Sequence, residues 1–113
     1  MTIVSRPWGN FRVIETQDAF QIKQLNVFPG SRLSLQSHEF RAEHWFVIQG
    51  CARVEVDGRI LELIPGESIQ IPLQSRHRVT SIGETPLVFI EIQTGTSFDE
   101  DDIIRYEDDY GRS

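Results

Sequence analysis

The sequence predicts an all-β fold, a sandwich or a closed barrel. Three observations lead there. Segments of four to nine residues rich in Val, Ile, Leu and Phe recur between turn signals. Asp57-Gly58 sits between two alternating runs, the signal of a tight hairpin. No ten-residue window carries an apolar stripe of helical period.

Taken in order, Phe11–Glu15 and Phe20–Phe28 read as the first strands, and Pro29-Gly30 turns the chain after them. Arg32–Gln36 follows, with Leu33 and Leu35 on one side. Alternation then sends Ser34, Gln36 and His38 to the other side. After a turn at about residues 39–42, Glu43–Gln49 puts Glu43, Trp45 and Val47 on one face. Ala52–Val56 and Arg59–Ile64 are the arms of the Asp57-Gly58 hairpin, and Pro65-Gly66 ends the second arm. Ser68–Ile71, His77–Ser81 and Leu87–Gln93 complete the set, with Gly83 at a turn. The tail at residues 99–109 reads equally as a helical turn or a final strand.

At 113 residues the chain fits one domain with one core, residues 1–113. The formal charge of −6 is unevenly placed. Residues 99–113 hold seven acids and two arginines, so the rest of the chain is nearly neutral. That balance argues against a nucleic-acid partner, which calls for a basic face. No apolar run approaches the roughly 18 residues of a membrane span. The single cysteine, Cys51, permits no intrachain disulfide and reads as a small packed residue. With no basic-then-apolar leader at the N-terminus, the expected location is the cytoplasm.

Gln36, His38, Glu43 and His77 supply an amide oxygen, two imidazoles and a carboxylate. That N/O set suits a divalent cation such as Zn, Mn, Fe or Co. A small barrel can gather the four groups at one mouth. The competing reading is an empty barrel in which the same groups bond to one another and to water.

The spacing Gly30-x5-Gln36-x-His38-x4-Glu43-x6-Gly50 resembles the first cupin motif, with Gln36 where many cupins carry a first histidine. Gly66-x5-Pro72-x-Gln74-x2-His77-x3-Ser81 resembles the second, departing at Gln74 and Ser81, where glycine and asparagine are usual. The resemblance implies a double-stranded β-helix, or jelly roll, with the metal inside. Arg6-Pro7-Trp8-Gly9, the stretch Arg41-Ala42-Glu43-His44-Trp45 and the run from Asp101 to Arg112 narrow it. Together they are similar to the cupin-type (type II) mannose-6-phosphate isomerase, which commonly forms the C-terminal part of a fusion with mannose-1-phosphate guanylyltransferase. Where that family often reads His-His-His-Arg-Ala-Glu-His-Trp, this chain has Glu39 and Phe40 in place of two histidines.

What the resemblance implies is interconversion of mannose 6-phosphate and fructose 6-phosphate through a cis-enediol, with Zn, Mn or Co as the expected metal. The reaction needs a base, and Lys23, Glu39 and His44 are the candidates. It also needs a phosphate grip, for which the arginine fork is suited; Arg6, Arg32, Arg41 and Arg105 are the leading candidates. The alternative is a non-catalytic sugar- or nucleotide-sugar-binding cupin that partners a separate guanylyltransferase. A homodimer is expected, because an open cupin barrel leaves sheet edges to cover.

Overall fold

The computed structural model describes residues 2–112. Eleven strands and no helix are found among them. They are β1 (Ile3–Arg6), β2 (Gly9–Thr16), β3 (Phe20–Val27), β4 (Leu35–Ser37), β5 (Arg41–Gln49), β6 (Ala52–Val56), β7 (Arg59–Leu63), β8 (Ser68–Ile71), β9 (His77–Ser81), β10 (Leu87–Gly95) and β11 (Ile104–Glu107). One sheet has the order β1-β2-β3-β10-β5-β8 and the other β11-β4-β9-β6-β7. Every pairing is antiparallel. The chain crosses repeatedly between the sheets, as a jelly roll requires.

The expected hairpin forms. Asp57 and Gly58 both take positive φ, 48° and 84°, the pair that a two-residue turn of matching twist demands. Gly9 is forced by a close approach: a Cβ there would lie 2.0 Å from the carbonyl oxygen of Asn26 on β3.

β1 and β4 depart furthest from the expected strands, and the tail, open between a helical turn and a strand, takes the second form. β1 was not foreseen; it is a four-residue edge strand whose existence depends on its partner β2. The Arg32–Gln36 strand is shorter and later, at Leu35–Ser37, with Arg32 making one isolated bridge to Thr80. The alternation expected from Leu33 therefore fails before Leu35, and Leu33 lines the interior cavity beside Ser34. The acidic tail resolves as a strand, β11, paired with β4.

The inner face of the six-stranded sheet changes character along its length. Leu25, Phe89 and Val47 form an apolar row across β3, β10 and β5. The next row is Lys23, Glu91 and Trp45, and the one after is Gln21, Gln93 and Glu43. Apolar rows pack the closed end with Val54 and Val79 of the opposite sheet. The polar rows floor a cavity at the other end.

Candidate metal centre and cavity

Elements of both sheets bring the ligand-type groups together. Glu43 projects inward from β5. His77 opens β9 and stands opposite Gln36 of β4 in register. His38 lies in the link between β4 and β5. The ligand atoms of His38, Glu43 and His77 all fall within 4.8 Å of one another, and all three residues are buried. Gln36 lines the same cavity, with its amide oxygen accepting from Ser34 Oγ at 3.0 Å.

The hydrogen bonds fix what each imidazole presents. His38 Nδ1 lies 2.7 Å from the carbonyl oxygen of Asp102, and His77 Nδ1 lies 3.0 Å from that of Ser75. A carbonyl only accepts, so each Nδ1 carries the proton and each Nε2 keeps its lone pair. His38 Nε2 sits 3.3 Å from Glu43 Oε2, and His77 Nε2 sits 3.9 Å from Glu43 Oε1. His77 Nε2 is buried with no hydrogen-bond partner. Burial lowers both imidazole pKa values, which keeps the rings neutral, although Glu43 pulls the other way.

Glu43 is held charged. Burial alone would raise its pKa; His77 and His38 lower it whenever they are protonated, and Arg41 with the Trp45 hydrogen bond lowers it beside neutral rings. Arg41 Nε donates to Oε2 at 3.1 Å and Trp45 Nε1 to Oε1 at 2.9 Å. Two imidazole lone pairs thus converge on an ionised carboxylate in a buried site. That arrangement is repulsive alone and is relieved by a cation at its centre, so the donor set fits a divalent metal. The Nδ1 bonds to backbone carbonyls are of the kind that orient metal-binding histidines.

Beside this cluster lies a cavity of about 230 Å³. Five of the eleven cationic side chains in this acidic chain line it: Arg6, Lys23, Arg41, Arg105 and Arg112. Arg105 has a lowered pKa, first through burial and then through the neighbouring charges of Arg112 and Arg6. These three arginines from β1, β11 and the chain end neighbour one another in a cationic patch, in which Asp108 holds the Arg112 fork through two bonds of 3.0 Å. Arg41 is tied to Glu43, to the Asp99 carbonyl oxygen at 3.2 Å and to His38 Nε2 at 3.4 Å. Its fork therefore serves the ligand cluster. Lys23 is buried over the Phe11 ring and pairs with Glu100 of the tail.

Three sequence candidates are not brought to the cavity. His44 faces outward from β5 and bonds Gln70 through Nδ1 at 3.1 Å, because the strand alternation that turns Glu43 in turns His44 out. Glu39 is exposed on the bend before β5, its backbone N–H bonded to the Asp102 carboxylate. Arg32 forms an ion pair with Asp109 on the outside, away from the lining. The sequence reading also missed Glu91, Glu100 and Asp102. For Glu91, an acid in the middle of the expected Leu87–Gln93 strand would have been the signal.

Comparison with known proteins places these observations. The family described as "Mannose-6-phosphate isomerase C-terminal" matches residues 1–108. The chain is 45% identical over 109 residues to "Mannose-1-phosphate guanylyltransferase ManC" of Salmonella typhimurium, covering 96% of this chain and 23% of that protein. It is 46% identical over 110 residues to "Alginate biosynthesis protein AlgA" of Pseudomonas aeruginosa, covering 97% and 23%. The chain thus spans about a quarter of the length of these curated relatives. Among solved structures, oxalate decarboxylase from Bacillus subtilis superposes with a TM-score of 0.83 at 21% identity, over 93% of this chain and 30% of that one. KdgF from Halomonas sp. superposes with a TM-score of 0.77 at 18% identity, over 89% and 90%. With the cupin domain of Cnp3 from Schizosaccharomyces pombe (TM-score 0.74, 11% identity, 76% and 64% covered), these likenesses establish the cupin double-stranded β-helix.

Proposed function

Because this chain belongs to the mannose-6-phosphate isomerase C-terminal family, we propose that it is a metal-dependent sugar-phosphate isomerase acting on mannose 6-phosphate and fructose 6-phosphate. The observation that carries the reading is the His38, Glu43 and His77 cluster beside a cavity with a cationic patch. Gln36, His38, Glu43 and His77 would hold Zn, Mn or Co. Such a metal supplies a Lewis acid for the carbonyl and hydroxyl oxygens of the open-chain sugar. Arg6 and Arg105 bind the phosphate, whose oxygens suit the arginine fork. Trp8, Phe11 and Leu25 wall the cavity and restrict water.

The cavity is polar, its five cationic side chains set against the carboxylates of Glu43, Glu91, Glu100 and Asp101, and its arginines suit a phosphorylated sugar. Glu39 and Phe40, the two departures from the family pattern, are exposed and outside the lining. Their substitution therefore leaves the site chemistry intact, which favours catalysis over the sugar-binding alternative.

The test is a coupled isomerase assay on metal-loaded and EDTA-treated protein. Turnover of mannose 6-phosphate with Zn, Mn or Co, lost on chelation, supports the proposal. Thermal stabilisation by the sugar phosphate without turnover replaces it with a non-catalytic binding cupin. We also propose a homodimer, supported by the exposed Phe46, Ile48 and Ile92 on the outer face of β5 and β10. Light scattering tests it. A separate nucleotidyltransferase is a further proposed partner, supported by the guanylyltransferase name of a longer relative.

A further inference from the structure

Glu91 is a buried carboxylic acid outside the candidate metal ligand set. It occupies the middle of β10, in register with Lys23 on one side and Trp45 on the other. It is 6% exposed and lines the same cavity as His38 and Glu43. Among the described residues no cation lies within ion-pair distance, because Lys23, directly across, is drawn to Glu100.

A relay of side chains orients it. Thr16 Oγ donates to Gln21 Oε1 at 2.9 Å, and Gln21 Nε2 donates to Gln93 Oε1 at 3.0 Å. Gln93 Nε2 donates to Glu91 Oε1. Each amide is thereby fixed in one orientation, and the relay ends on one carboxylate oxygen. The other oxygen has no protein partner and opens on the cavity. A carboxyl clamped through one oxygen and free at the other is positioned to exchange a proton with a bound molecule.

We propose that Glu91 is the proton carrier of the isomerisation, moving hydrogen between C2 and C1 of the open-chain sugar phosphate. The inference rests on the isomerase reading. In the first step the Glu91 carboxylate takes the proton from C2. The C2–H electron pair becomes the C1=C2 double bond, and the carbonyl π pair moves onto O1. O1 takes the proton of the neighbouring O2 hydroxyl, the two oxygens lying cis. In the second step the C1=C2 pair takes the proton back from Glu91 at C1, while an O2 lone pair forms the C2=O2 carbonyl. The C2 proton passes to C1 by way of Glu91, where it exchanges with solvent while it is held, and the O2 proton passes to O1, with no other reactant. Burial, in the first place, pushes the Glu91 pKa up from the usual carboxylate range. Such a carboxyl both accepts and returns a proton near neutral pH.

The experiment compares wild type, Glu91→Gln and Glu91→Asp, each metal-loaded, in D2O with mannose 6-phosphate. Deuterium entering C1 and C2 is followed by NMR, alongside metal content and the melting transition. Glu91→Gln keeps the shape and the Gln93 bond but has no carboxyl. The expected result is exchange lowered about 10³-fold in Glu91→Gln, with metal content and melting retained and partial exchange in Glu91→Asp. Wild-type exchange with Glu91→Gln within about tenfold of it overturns Glu91 alone and leaves the isomerase reading standing. Loss of metal or of the melting transition in both variants assigns Glu91 to structure and also overturns the proposal. Absence of any fructose 6-phosphate in the wild type overturns the isomerase reading, and this proposal with it; conversion without deuterium uptake overturns the proton carrier and leaves the isomerase reading standing.

Discussion

His38 Nδ1 lies 2.7 Å from the carbonyl oxygen of Asp102, a contact across 64 positions of sequence. It ties the candidate metal centre to the acidic tail. Asp102 also receives the backbone N–H groups of Glu39 and Phe40 on its carboxylate, at 2.9 and 3.0 Å. The tail therefore sets the orientation of His38. Asp102→Ala removes the two carboxylate bonds and loosens the carbonyl. Metal affinity should fall about tenfold, as for other partners of metal-binding histidines. Competition with a chelator measures it, and an unchanged affinity would show that the tail plays no part.

His77 behaves oppositely in metal-free and metal-loaded protein. Its Nε2 is buried without a partner, a cost that only a cation relieves. His77→Leu should abolish most metal binding while the EDTA-treated variant melts no lower than EDTA-treated wild type. A variant with full metal content refutes the ligand assignment.

The pH dependence of the metal-free protein has two limbs. Burial holds His38 and His77 below their ordinary pKa, so the unfolded chain binds their protons first as pH falls. The stability they contribute is present above about 6.5 and is lost below it. Glu91 gives the alkaline limb. Its folded pKa is raised to about 8, so its contribution is complete below about 4.5 and is lost as pH rises through 8. The charged groups acting on it are Lys23 on β3, Glu43 and Arg41 on β5. Relative to wild type, Glu91→Gln should gain stability as pH rises from 5 to 9. Urea melts of EDTA-treated protein across that range test both limbs. A parallel pair of pH profiles would exclude Glu91 as the alkaline group.

Arg6→Ala and Arg105→Gln should separate substrate from metal. Each removes one charged donor to a phosphate, worth about 1.5–3 kcal/mol, so KM for mannose 6-phosphate should rise about 10- to 100-fold. Metal affinity should change little, since neither side chain bonds His38, Glu43 or His77. If KM and metal affinity are both unchanged in Arg6→Ala, that residue serves structure through its stacking on Phe11.

Much of the centre was legible because its residues sit at fixed offsets from turns. Gly30, Gly50 and Gly66 take positive φ. The short spacings from them bring Gln36, His38, Glu43 and His77 to one end of the barrel. Chain order alone also specified the Asp57-Gly58 hairpin, whose two positive φ angles few other dipeptides accept.

Which face of a strand points inward was decided by the assembled sheets. In β10, Val88, Ile90 and Ile92 form the more uniformly apolar set, and a binary pattern would bury them. The fold instead buries Leu87, Phe89, Glu91 and Gln93, leaving Ile92 37% exposed. Registration with Gln21 on β3 lets Gln93 and Glu91 join one chain of hydrogen bonds, compensating a burial that each alone would resist. β1 and β11 likewise exist only through their partners, since a short edge strand gains its hydrogen bonds from a neighbour. The sequence by itself determined the strand-rich chain, its turns and the four ligand-type residues. Tertiary structure decided that Glu91 faces the cavity, that His44, Glu39 and Arg32 do not, and that the tail holds His38. These depend on pairings between strands far apart in the chain, which local propensity does not encode.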